Sequence, residues 1–116
     1  MPSLPPPPVP QKLREMFKDY PGHIQTLQDD LNKVVSKRHP GVDPFDVVIW
    51  MLEGSLWAFV IEAREELKSA EKSGDIVAIA KADAKEKLMS RASWKHIWLS
   101  DDSLWEYFQS NKDALK

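Results

Sequence analysis

Cysteine is missing from this chain of 116 residues, glycine occurs only four times, and nowhere do lysines and arginines gather into a patch. Each absence removes a class of chemistry. Without cysteine there is no disulfide framework, no thiolate nucleophile and no cysteine-built zinc site. Gly22, Gly41, Gly54 and Gly74 stand apart from one another, so no glycine-rich loop can cradle a phosphate. The formal net charge of −2 supplies none of the counterion release that drives sequence-independent binding to nucleic acid. His23, His39 and His96 fall in three separate segments, and none has a Glu or His three or four residues away, the spacing that builds metal sites on helices. No catalytic residue, cofactor or metal is therefore assigned, and the chain is expected not to be an enzyme.

Long uninterrupted apolar runs are also lacking. The most apolar stretch, "FDVVIWMLEGSLWAFVIEA", is broken by Asp46, Glu53 and Glu62 and falls short of the roughly 20 apolar residues that span a bilayer. It reads as a buried helix, with no membrane partner. The first residues carry neither the basic start nor the apolar stretch of a secretory signal, so a cytoplasmic location is expected.

What is present is helical patterning. An apolar fraction of 42% fits a single globular core, and the reading is all-α: an irregular four- to five-helix bundle over residues 11–116, preceded by a proline-rich arm over residues 1–10. Leu13, Met16, Phe17 and Tyr20 share one face of a short first helix, and "YPG" separates it from a second helix with its stripe at Ile24, Leu27, Leu31 and Val34. Lys37, Arg38 and His39 suit the negative end of that helix, and "HPGVDP" supplies a turn. Asp43 reads as an N-cap with Pro44 at the first helical position, opening a long helix that runs to about Ser73. Gly74 and Asp75 end it and cap the return helix, whose inward stripe is expected at Val77, Ala80, Ala84 and Leu88. A last helix, capped by Ser100 or Ser103 with Asp101 and Asp102 at its positive end, should turn Leu104, Trp105 and Phe108 inward.

The long helix carries more apolar surface than one core seam needs. Phe45, Val48, Leu52, Leu56, Phe59, Ala63 and Leu67 make that seam, with Asp46 and Glu53 on a wet stripe. Val47, Trp50, Met51, Trp57, Ala58 and Ile61 are left over on another side, with Gly54 between the tryptophans. Trp is a characteristic hot-spot residue of protein interfaces. Trp94 and Trp98, flanking His96, lie in a segment whose pattern leaves helix and loop both open.

The arm offers two uses. Six prolines between residues 2 and 10, followed by Lys12, fit a polyproline ligand of an aromatic groove. In that conformation the same residues reach about 28 Å, far enough to lie along a second subunit or back over the chain's own aromatic face. The expected function is a non-catalytic protein–protein interaction module, an adaptor, inhibitor or immunity- or antitoxin-like partner, that binds another protein or its own copy. Pro7, Val9, Trp50, Trp57, Ile61, Trp94 and Trp98 are its expected contact residues. One alternative is a small-molecule binder with a pocket formed by Trp50, Trp57 and Met51 and anchored by Glu53. Another is a nucleic-acid-binding regulator using Lys33, Lys37 and Arg38.

Overall fold

A computed structural model describes residues 5–37, 41–100 and 102–114. The first four residues of the arm, Arg38 and His39 of the basic trio, Pro40 of the turn and Asp101 lie outside the described residues. The protein is all-α: six helices and no strand occur among the described residues. They are α1 (Gln11–Met16), α2 (Pro21–Val35), α3 (Pro44–Ser73), α4 (Ile76–Ala92), α5 (Lys95–Trp98) and α6 (Ser103–Ser110).

Local chemistry sets the ends of the longest pair. The Asp43 carboxylate accepts from Phe45 N at 2.9 Å, and Pro44 opens α3, where a missing N–H leaves nothing unsatisfied. Thirty residues later Gly74 stops the helix at φ +73°, a conformation that costs glycine little. Asp75 then accepts from Val77 N and Ala78 N at 3.0 and 3.3 Å, starting α4. The result is an antiparallel hairpin in which α3 alone accounts for about 45 Å of a molecule 55 Å long.

Burial follows the expected seam of α3. Val48, Leu52, Leu56, Phe59, Val60 and Ala63 are buried, and Phe45 packs half-buried beside them. Leu27, Leu31 and Val34 of α2 face them, with Leu13 and Phe17 from the first helix and its exit, and Leu104 and Phe108 from α6. One charged side chain is buried among the described residues: Asp30 of α2, which accepts a hydrogen bond from the Ser55 hydroxyl of α3. By length and composition α3 could also cross a membrane. A core helix has the same properties, and the inward side of α3 packs against α2 and α4.

Two expectations about facing are corrected. On α4 the stripe of Val77, Ala80 and Ala84 lies on the exposed side and Leu88 is only half-buried, while Met89 and Ala92 are the residues that enter the core. Alanine-rich helices have little sidedness, and here ion pairs help set the face. Lys85 meets Glu66 at 2.9 Å and Glu86 meets Arg64 at 3.4 Å, both across the hairpin. On α6, Trp105 is 47% exposed and offers an edge to Phe45 at 5.1 Å, because Leu104 and Phe108 take the inward positions. Ser103 is the first residue of that helix, and Asp102 precedes it without a side-chain cap bond.

The proline segment packs against its own chain. Pro7 and Val9 are buried. Gln28 Nε2 donates to the Pro7 carbonyl at 2.8 Å, Arg14 Nε to that of Val9 at 3.1 Å, and the Tyr107 hydroxyl to that of Pro5 at 2.6 Å. An extended proline-rich backbone makes no hydrogen bonds within itself, so its carbonyls are open to donors from α1, α2 and α6 that fasten the segment across the bundle.

Candidate functional site

The outer face of α3 is built by helical geometry alone. At 100° per residue, positions 50, 54, 57, 61, 64 and 68 fall within a narrow stripe on the side opposite Leu52, Leu56 and Ala63. That stripe is open: Trp50 is 76% exposed, Trp57 50% and Ile61 47%, and Gly54 between the tryptophans is exposed as well. A methyl group added at Gly54 would meet nothing within 4 Å. A mid-helix glycine costs about 1 kcal/mol relative to alanine, and nothing inside this chain requires one there.

Fixed polar contacts border the stripe. The Arg64 guanidinium lies 5.2 Å from the Trp57 ring centroid and pairs with Glu86, holding the indole from one side. Glu53, between the two tryptophans, pairs with Lys95 at 3.4 Å. That tie brings the corner between α4 and α5 to the flank of the stripe. Trp94, one residue earlier, is 51% exposed and stacks on His96 with ring centroids 6.0 Å apart.

The expected contact residues therefore divide. Trp50, Trp57 and Ile61 share one exposed stripe, and Trp94 is exposed at the corner beside it. Pro7, Val9 and Trp98 belong to the core, where no partner can reach them in this conformation. Trp98 faces inward from the single turn α5, with Ile97 half-buried beside it and Lys95 and His96 at the surface, and its indole N–H finds no hydrogen-bond partner among the described residues. Met51 packs half-buried against the core and Glu53 is held by Lys95, so the four residues of the alternative pocket do not converge. Of the basic edge, Lys33 and Lys37 are exposed, and Lys33 borders a shallow groove with Asp29, whose charge opposes it.

No family model, curated protein or solved structure matches this chain.

One cluster has no counterpart in the sequence patterns. His23 lies flat between Phe59, 4.0 Å away at 5°, and Tyr20, 5.6 Å away at 19°, with Phe17 edge-on at 5.8 Å. Lys85 Nζ sits 5.3 Å from the Tyr20 ring centroid and binds Glu66, with Glu62 at 3.9 Å. Burial pushes the imidazole below its ordinary pKa, and the Lys85 charge adds to the effect against an opposing pull from Glu62 and Glu66. The ring is held neutral and serves as an aromatic spacer between α2 and α3. Its Nε2 is buried without a hydrogen-bond partner among the described residues, and no three potential metal ligands converge there.

Proposed function

We propose that this chain is a non-catalytic protein–protein interaction module, an irregular helical bundle that displays its binding surface on the outer face of α3. The observation that carries the reading is the open stripe of Trp50, Trp57 and Ile61. Two adjacent tryptophans at half or more exposure resemble interface anchors, since burying each against a partner removes a large apolar area from water and leaves its N–H to orient the contact. The bordering pairs, Arg64 with Glu86 and Lys95 with Glu53, resemble the polar rim that surrounds such anchors. In this reading the proline segment is an internal strap, held by Gln28, Arg14 and Tyr107, and the partner meets the helix instead.

Site-specific photocrosslinking tests the assignment in the cells that make the protein. A benzophenone amino acid at Ala58, exposed beside Trp57, should give discrete protein adducts, and the same probe at exposed Lys12 should give none. Absence of adducts from Ala58, or an identical pattern from both positions, overturns it.

A further inference from the structure

Resting on that reading of α3, we propose that the occupant of its outer face is a second copy of this chain, with the two α3 helices antiparallel and Trp57 of each seated over Gly54 of the other. Four observations converge on this arrangement. First, Gly54 is an exposed glycine in the middle of a 30-residue helix, with open space around the position a Cβ would take. Glycine there weakens the helix and does nothing for the chain's own packing. It leaves a notch of the kind that lets a bulky side chain and a second helix approach closely.

Second, the stripe repeats every seven residues in two rows, Asp43, Trp50, Trp57 and Arg64 in one and Val47, Gly54, Ile61 and Lys68 in the other. Those are the two seam rows of a coiled coil. Packed antiparallel about a two-fold axis between positions 55 and 56, the rows mesh. Gly54 meets the second copy's Trp57, Trp50 meets its Ile61, and Val47 meets the stem of its Arg64. Each contact occurs twice, as a closed two-fold interface demands.

Third, the opposite orientation fits poorly. Parallel packing sets Trp57 against Trp57, Asp43 against Asp43 and the two glycines across a void, whereas antiparallel packing carries Asp43 and Asp46 away from their own copies to the end of the stripe where Arg64 and Lys68 pair with Glu86 and Glu65 of their own chain. Fourth, the two tryptophans supply a large part of the area a reversible dimer needs. Taking about 200 Å² for a tryptophan side chain, the exposed parts of Trp50 and Trp57 from two copies supply about 500 Å². That is about half of the ~1,000 Å² a specific interface needs, and exposed Ile61, Ala58 and the Arg64 stem extend it.

Sedimentation equilibrium of the whole chain from about 1 to 500 μM tests this, with dissociation constants expected near the micromolar range for an interface of that size. Wild type should dimerise. Gly54→Leu, which fills the notch, and Trp57→Ala, which removes the knob, should each weaken the dimer at least about tenfold while circular dichroism shows the helices intact. For the register, a spin label on Ser69→Cys is unambiguous because the chain has no other cysteine. Antiparallel packing separates the two labelled positions by 27 residues of helix, about 40 Å, and parallel packing by about 10 Å.

A monomer at every concentration, a short label distance, or a dimer indifferent to Gly54→Leu overturns the proposal. A monomeric chain that still forms Ala58 adducts with a different protein overturns this inference and leaves the interaction reading standing. A monomer that cosediments with phosphatidylcholine–phosphatidylglycerol vesicles and forms no protein adduct overturns both.

Discussion

His23 of α2 lies on Phe59 of α3 with ring centroids 4.0 Å apart and planes within 5° of parallel. Burial, and next the Lys85 charge, disfavour the protonated imidazole and lower its pKa below 6.5. The unfolded chain therefore binds the proton more readily than the folded one. This stabilisation is complete above about pH 6.5 and is lost as pH falls from there through the folded value. Urea unfolding should show stability declining between pH 7.5 and 5.5, a window above the titration of most carboxylates. His23→Phe should flatten that slope, and an unchanged slope in the variant would refute the assignment.

Pro7, Val9 and Pro10 act as part of the core. Deleting residues 1–9 removes buried Pro7 and Val9 together with the carbonyls that accept from Gln28, Arg14 and Tyr107. The loss should be about 2–4 kcal/mol by chemical denaturation, and Val9→Ala alone should cost about 1–2 kcal/mol. A segment serving only as a ligand for another domain would leave the midpoint unmoved.

Asp30 and Ser55 tie α2 to α3 inside the bundle. Ser55→Ala leaves a buried carboxylate short of a donor and should cost about 1–3 kcal/mol. Because the two side chains share one bond, the loss in Asp30→Ala/Ser55→Ala should fall below the sum of the single losses. A double-mutant cycle in urea measures the difference.

Tryptophan substitutions should sort by burial. Trp98→Ala empties a fully buried site and should cost about 3–5 kcal/mol. Trp50→Ser and Trp57→Ser, measured at concentrations low enough to keep the chain dissociated, should each change stability by less than about 1 kcal/mol. A large loss from either surface variant would place that residue in the monomer's core.

Two glycines of the α3–α4 hairpin should respond oppositely to alanine. At Gly54 the added methyl meets nothing and the backbone is helical, so the dissociated chain should gain up to about 1 kcal/mol. At Gly74, φ is +73°, and alanine should lose about 1 kcal/mol or more. Thermal melts of the two variants give both signs at once.

The sequence by itself determined where most helices begin and end and which side of α3 is surplus. Asp43, Pro44, Gly74 and Asp75 act on backbone groups within three residues of themselves, and the seven-residue recurrence of Trp50 and Trp57 is a property of one helix. Facing on the other elements was decided only by tertiary structure. Nothing local tells alanine-rich α4 to bury Met89 and Ala92 instead of Ala80 and Ala84; cross-hairpin pairs through Lys85 and Glu86 help to make that choice. The same holds for the tryptophans of the last third, where Trp98 is sealed and Trp105 is left at the surface, and for Pro7, whose carbonyl is met by Gln28 twenty-one residues away. His23 is the clearest case. Its role depends on Phe59 of α3 and Lys85 of α4, which only the assembled bundle brings to a ring that Tyr20 already stacks on locally.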